Sequence, residues 1–260
     1  MRYGLSIPPF TDTATLLSLT REAEEVGWDG VFLWDHIQWN PGFAPLDPWV
    51  LLGGMAQVTD RVRLGTIVTP LSRRRPSVMA KQIVTLDHLS GGRAVLGVGL
   101  GEPRDRDFAD LGEEADPRVR ATMLDEGLEV VDRLMRGPTE FTGEYYQISA
   151  DFHPRPVQRP RPPIWVAGVV PNRRPLARAQ RWDGVVPMGA NDHITPDELS
   201  AYLARLGSPP AEGWDVVAPR KVGVPPQEYA DAGATWLINN PQPTSGGWET
   251  ALSETLRSGP

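Results

Sequence analysis

The sequence contains no cysteine. Disulfides, thiolate zinc sites and cysteine nucleophiles are therefore excluded. Lysine is nearly absent as well: of 26 basic residues only Lys81 and Lys221 are not arginine. Apolar runs are short, and none approaches the roughly 18 residues that span a bilayer. The start, MRYGLSIPPF, lacks a basic region followed by a long apolar one, so no signal peptide is expected and the cytoplasm is the expected location. Positive charge is not in excess either. The 26 basic and 33 acidic residues give a net charge of -7, which argues against a nucleic-acid-binding surface. No spacing of His, Asp and Glu resembles a metal set, and no G-x-S-x-G nucleophile elbow occurs.

Proline is abundant instead. The 27 prolines are about twice the usual ~5% share and imply rigid, well-defined loops. Short β-type runs alternate with helical patterns almost throughout. RYGLSIP (2–8), GVFLWDH (30–36), VRLGTIVTP (62–70) and RAVLGVGLG (93–101) read as strands, with starts about 30 residues apart. TATLLSLTREAEEVG (13–27), PWVLLGGMAQVTD (48–60) and PSVMAKQIVTLDHLS (76–90) read as the helices between them. ATMLDEGLEVVDRLMRG (121–137) is a further helix, with Leu124, Leu128, Val131 and Met135 on one face. A proline-rich extended excursion follows (144–163), and strands then return at 163–168, 184–189, 215–219 and 234–239. Eight β-α units in about 250 residues are the size of a (β/α)8 barrel. A doubly wound sheet is the alternative, and the pattern alone separates the two poorly. No linker or low-complexity tract breaks the chain, so residues 1–260 are expected to form a single domain.

Chemistry is expected where barrel strands end. LGVGLGEPRDRDF (96–108) alternates Gly97, Gly99 and Gly101, unlike the G-x-G-x-x-G of a dinucleotide loop. It reads as a buried strand delivering Glu102 to a site, with glycines where a backbone or ligand comes close. The same rule selects Asp35 and His36, Thr69 and Pro70, Ala167-Gly168 and Met188-Gly189. A histidine can donate or accept a proton near neutral pH, which makes His36 a candidate to move one; the competing reading is a histidine satisfied in the barrel rim. Glu102 reads equally as a solvated loop carboxylate beside Arg104 and Arg106. Arg73, Arg74 and Arg75, and separately Arg173 and Arg174, are candidates for an anion or are solvated surface arginines. Trp34 and Trp39 flank the Asp35-His36 turn, where they could stack on a planar ring.

RVRLGTIVTPLSRRRPSVMAKQIVTLDHLSGGRAVLGVGLGE, then EYYQISADFHPRPVQRPRPPIWVAG and RRPLARAQRWDGVVPMG, resemble the bacterial luciferase-like superfamily of flavin- and deazaflavin-dependent oxidoreductases. The resemblance runs from the first strand to about residue 190. It implies a single (β/α)8 TIM barrel with an insertion after strand four and, in this chain, a shortened C-terminal third. It also implies a reduced ring cofactor at the C-terminal mouth, beside a non-proline cis peptide on strand three within Ile67, Val68 and Thr69. Asp35 and His36 match the DH pair of deazaflavin-using members, and Glu102 the acid those members carry after the strand-four glycines. Ala167, Gly168, Met188 and Gly189 match segments lining the ring and its phosphate tail.

With coenzyme F420, a deazaflavin, a hydride would pass to or from a small-molecule substrate, with His36 and Glu102 handling the proton and Asp35 beside them. With FMN, a separate flavin reductase would supply reduced flavin and an organic substrate would be oxygenated. The DH pair and Glu102 lean towards the deazaflavin. The lack of lysine argues against a sugar phosphate as substrate. The other readings are a non-catalytic flavin-binding protein and a phosphate-ligand isomerase or lyase. Members of this superfamily often pair, so a homodimer is also expected.

Overall fold

The structure is a computed structural model that describes residues 1–103, 105–189, 193–208, 210–241, 243 and 247–260. The chain lays down β1 (Arg2–Ile7), β2 (Gly30–Leu33), β3 (Arg63–Pro70) and β4 (Ala94–Gly99). An antiparallel hairpin of β5 (Thr139–Thr142) and β6 (Gln147–Ala150) follows. Then come β7 (Ile164–Val169), β8 (Gly184–Met188), β9 (Asp215–Pro219) and β10 (Trp236–Asn239). All but the hairpin strands are parallel, and β10 pairs back onto β1 to close an eight-stranded barrel. This is the (β/α)8 barrel, not the doubly wound sheet.

Helices α1 (Thr13–Glu25), α2 (Pro48–Gln57), α3 (Pro76–Leu89), α4 (Pro117–Arg136), α5 (Arg173–Ala179), α6 (Pro196–Leu203), α7 (Pro226–Asp231) and α8 (Trp248–Ser258) accompany the strands. Local chemistry sets where they start. The Asp12 and Asp47 carboxylates accept the N–H groups of Thr15 and Val50 at 3.0 and 2.9 Å, and Thr195 with Glu198 forms a capping box. Much of the proline excess finds its use here, since α2, α3, α4, α6 and α7 each open on one. Asp116 caps α4 and starts it at Pro117, ahead of the expected 121. The expected extended excursion (144–163) contributes only β6, which pairs with β5 just ahead of it, from Thr139↔Ala150 to Thr142↔Gln147.

Strand side chains alternate between two cores. Leu5, Val31, Leu64, Leu96, Val166 and their like face the helices. Inside the barrel, Phe32, Ile67, Val95, Trp165, Val186, Val217, Trp236 and Ile238 form a second, smaller cluster. Its aromatic rings meet at 5.3 to 5.9 Å between Phe32, Trp165 and Trp236. At the N-terminal end of the strands, Asp215 accepts from the Trp165 indole at 3.1 Å and from Arg2 at 2.8 Å, and Arg2 covers the Trp236 ring. The barrel interior is plugged at that end, so space within it for a ligand lies at the other. No helix among the described residues is long and apolar enough to cross a membrane.

Candidate active site at the barrel mouth

The mouth is shaped by an irregularity in β3. Its pairing with β4 slips between Thr66 and Thr69, and the Ile67–Val68 peptide is cis. The strand-four glycines answer to this slip. A Cβ on Gly97 would lie 2.0 Å from the Thr66 carbonyl oxygen, and one on Gly99 would lie 2.8 Å from Val68 Cγ2. Of the two expectations for these glycines, close approach of a backbone or of a ligand, the neighbouring strand is what they admit. Val68, Ala167 and Met188, all partly buried, pack on the top of the interior cluster to which Ile67 belongs. Four of the expected cofactor contacts thus form one apolar platform. Thr69, expected with them, is fully buried in the wall. Gly168 and Gly189 are pressed from behind: added Cβ atoms would sit 2.1 Å from Pro175 Cβ and 1.8 Å from the His193 carbonyl oxygen.

β2 stops at Leu33, and the DH pair belongs to the loop beyond it. Asp35 points away from the mouth's chemistry. Its carboxylate is 1% exposed and accepts from the Thr69 hydroxyl at 2.7 Å, from Arg73 at 2.9 Å, and from Arg74 at 2.9 and 2.8 Å. Burial works to raise its pKa, but the Arg74 and Arg73 guanidiniums and the Thr69 hydroxyl win, holding it below the usual carboxylate range. Asp35, expected beside the reacting groups, thus clamps the loops after β2 and β3 together. The same contacts dispose of the anion reading for Arg73 and Arg74, whose charges are matched by the protein's own carboxylates. Arg173 and Arg174 are exposed on the first turn of α5.

Arg73 carries the network onward. Its Nη1 stands 2.6 Å from Asp107 Oδ2 in an ion pair with both side chains buried. Asp107 Oδ2 in turn lies 2.7 Å from His36 Nδ1, while its Oδ1 accepts the backbone N–H groups of Ile37 and Gln38 at 2.9 and 2.8 Å. Burial would raise the Asp107 pKa. The His36 hydrogen bond, the Gln38 N–H and the Arg73 charge outweigh it, so Asp107 is held low and ionised. A carboxylate only accepts, so Nδ1 carries the proton and Nε2 is left as the reactive nitrogen. Nε2 has no hydrogen-bond partner among the described residues.

Aromatic rings wall the β1–β2 side of the mouth. Trp39 lies 4.3 Å from the His36 ring and 5.6 Å from Trp34, and Phe10 meets Trp34, Trp39, Phe43 and Trp248. Trp34 meets its neighbours edge-on and Trp39 lies tilted against His36, so the two rings buttress the imidazole. Glu102 is exposed, on the loop that follows β4. Arg120 anchors that loop from α4, donating to the carbonyls of Leu100 and Gly101 at 2.8 and 3.1 Å and lying over the Phe108 ring. Arg104 lies outside the described residues. The carboxylate this loop brings to His36 is Asp107, five residues beyond Glu102. Sequence reasoning missed it, because in EPRDRDF only the folded path distinguishes one acid from the next.

A closed parallel barrel, plugged at its base and with an apolar floor and a carboxylate-held histidine at its C-terminal mouth, is a frame on which barrel enzymes carry their sites. Residues 1–243 match the model of the luciferase-like monooxygenase family, and the chain belongs to that family. It is 37% identical over 188 residues to the F420-dependent glucose-6-phosphate dehydrogenase of Microbacterium testaceum, a match covering 70% of this chain and 54% of that one. A further F420-dependent glucose-6-phosphate dehydrogenase, from Nakamurella multipartita, is 37% identical over 169 residues, 62% of this chain and 48% of that one. The chain thus spans about half the length of the curated relatives it matches. Among solved structures, the coenzyme F420 dependent tetrahydromethanopterin reductase of Methanopyrus kandleri overlays with a TM-score of 0.78 at 19% identity, covering 98% of this chain and 97% of that one. An F420-dependent secondary alcohol dehydrogenase overlays at 0.77 and 18% identity, covering 97% of each. At such identities the likeness is one of fold.

Proposed function

We propose that this protein is an oxidoreductase that holds a deazaflavin, coenzyme F420, across the barrel mouth and exchanges a hydride with a small organic substrate. The observation that carries the reading is the His36–Asp107 pair beside an apolar platform. Ile67, Val68, Ala167 and Met188 fit the face of a flat ring, because they offer apolar contact at a place otherwise open to water. When bound, the deazaflavin supplies the hydride donor or acceptor. The protein's own residues do the rest. His36 Nε2 takes or gives the proton at the substrate oxygen, Asp107 holds the Nδ1 proton and the ring's orientation, and Arg73 with Asp35 holds Asp107. Glu102, exposed on the same loop, would serve as a second acid.

FMN is the second reading, and it brings in a separate flavin reductase. A sugar phosphate is disfavoured as the substrate: Lys81 bonds the His153 carbonyl and covers Phe152 beside α3, and Arg73 and Arg74 are taken by Asp35 and Asp107. In this proposal residues 1–260 act as one domain in the cytoplasm and pair as a homodimer. Fluorescence titration with F420 and FMN, each oxidised and reduced, tests the reading. Preferential F420 binding is expected. Preference for reduced FMN would move the protein to the second reading, and binding of neither would overturn both.

A further inference from the structure

At the opposite end of the barrel, the chain entering β7 and the turn entering β8 meet the last turns of α4. They line an open pocket of about 220 Å3 whose cationic lining is Arg133, Arg136, Arg161 and Arg181, with Trp182 as an apolar wall. Nothing in the mouth's chemistry uses this place. Arg161 lies deepest, its side chain 5% exposed. Nε donates to Asp132 at 2.6 Å, and Nη1 donates to Asp183 and, at 3.0 Å, to the Pro162 carbonyl. Nη2 has no hydrogen-bond partner among the described residues. A buried guanidinium with donors left over favours an oxyanion.

The rim supplies more donors. Arg136 engages Asp132 through Nε at 2.9 Å, which leaves both of its terminal nitrogens over. Arg181 reaches Glu129 at only 3.4 Å, and Arg133 holds the same Glu129 at 2.5 Å. Four guanidiniums therefore meet three carboxylates (Glu129, Asp132 and Asp183) in a chain whose net charge is -7. Arg161 and Arg181 also flank the Trp182 ring at 5.8 and 5.9 Å, which holds both planes in place.

We propose that this cavity binds a phosphate group, as inorganic phosphate or as the phosphate of a small metabolite. Arg161 Nη2 meets it at the floor, and Arg136 and Arg181 close on it from the rim. Donors converging from three side chains suit a tetrahedral anion better than a planar carboxylate. The site is independent of the mouth and of the cofactor assigned there.

Calorimetric titration of the full chain with inorganic phosphate, and in parallel with glycerol 3-phosphate, at constant ionic strength set by sodium chloride, tests this. Saturable binding is expected, weakened at least fivefold by Arg136→Gln and by Arg181→Gln. Both are surface positions whose replacement leaves the fold intact, as circular dichroism checks. Arg173→Gln with Arg174→Gln, at the far end of β7, leaves the affinity unchanged. Tighter binding of the ester assigns the site to a phosphorylated metabolite, and equal binding to the free ion. The proposal is overturned if neither ligand binds, if Arg136→Gln and Arg181→Gln change nothing, or if the Arg173 and Arg174 replacements abolish binding.

Discussion

Arg73 and Asp107 meet at 2.6 Å with their side chains 1% and 0% exposed, joining the loop after β3 to the loop after β4 beneath His36. Arg73 also donates to the carboxylate and the carbonyl of Asp35, so three loops converge on one guanidinium. A charge this deeply buried is tolerable only when it is matched. Here two guanidiniums, Arg73 and Arg74, balance two carboxylates, Asp35 and Asp107. The consequence is mechanical: none of the four can turn away without stranding another, and His36 inherits that rigidity through Nδ1.

His36 and Asp107 are expected to separate chemistry from binding. His36→Ala lowers kcat about 10²- to 10⁴-fold, the range for a general acid-base group, and leaves the cofactor dissociation constant within about twofold. Asp107→Asn keeps an acceptor for Nδ1 but loses the charge, and lowers kcat about tenfold with little change in KM. Steady-state kinetics with a working substrate, beside fluorescence titration of the cofactor, give both numbers. Unchanged turnover in both variants would remove His36 from the mechanism.

Asp35 is expected to act on stability. Asp35→Ala leaves Arg74 only the looser pair with Asp47 at 3.7 Å and Arg73 only Asp107, and removing one partner of a buried pair costs about 3–5 kcal/mol. At roughly 2–4 °C per kcal/mol for a chain near this size, Tm falls by about 6 °C or more. Thermal unfolding followed by circular dichroism measures it. A fall of less than about 2 °C would mean that the clamp contributes little.

The barrel was legible because its signal is repeated: strand, helix and stop recur every 30 residues or so, and each repeat supports the others. The position of Ile67, Val68, Ala167 and Met188 at one end of the barrel was legible for the related reason that strand ends fall on one face of it. Asp107 was missed, and the burial of the Asp35 and Thr69 side chains was not foreseen. A strand end tells which residues reach the mouth, but not whether a side chain turns into the lumen or back into the wall. That choice is made by partners distant in sequence: Arg73 and Arg74 draw Asp35 inward, 38 and 39 residues away, and Ile37 and Gln38 draw Asp107, 70 and 69 away. The hairpin of β5 and β6 was hidden for a different reason, its strands being four residues each with little apolar alternation.

Glycine substitutions separate wall packing from helix propensity. Gly99→Ala places a Cβ 2.8 Å from Val68 Cγ2 and 3.4 Å from Ala167 Cβ, so Val68 must shift within the platform. The expected cost is about 1–3 kcal/mol of stability from overpacking, together with an affinity for the ring cofactor weakened about tenfold. Gly53→Ala lies in α2, where the nearest outside atom is Leu89 Cδ1 at 3.7 Å, an ordinary contact. Helix propensity then dominates, and stability rises by up to about 1 kcal/mol. Urea unfolding of the two variants checks the opposite signs; cofactor binding by Gly99→Ala at wild-type strength would remove Val68 from the platform's role.

Acid stability follows from the direction in which the two buried carboxylates are shifted. Burial pushes Asp35 and Asp107 up, but their charged partners prevail and hold both below the ~3.9 of an unfolded aspartate. Groups lowered on folding add stability that is fully present above the unfolded pKa and is lost as pH falls through the folded one. Their contribution is therefore constant from neutrality down to about pH 4 and declines below it, at up to about 1.4 kcal/mol per pH unit for each proton taken up by the unfolded chain. Asp12, Glu24, Asp151 and Glu198 are also held low and add to the wild-type decline. The informative quantity is accordingly the difference between wild type and Asp107→Asn. The variant has one fewer carboxylate to protonate, so its unfolding free energy falls less steeply below about pH 4, and the two curves converge as the pH is lowered. Urea unfolding from pH 7 down to about pH 3 measures the slopes, and parallel curves throughout would mean that Asp107 is not held low by its partners.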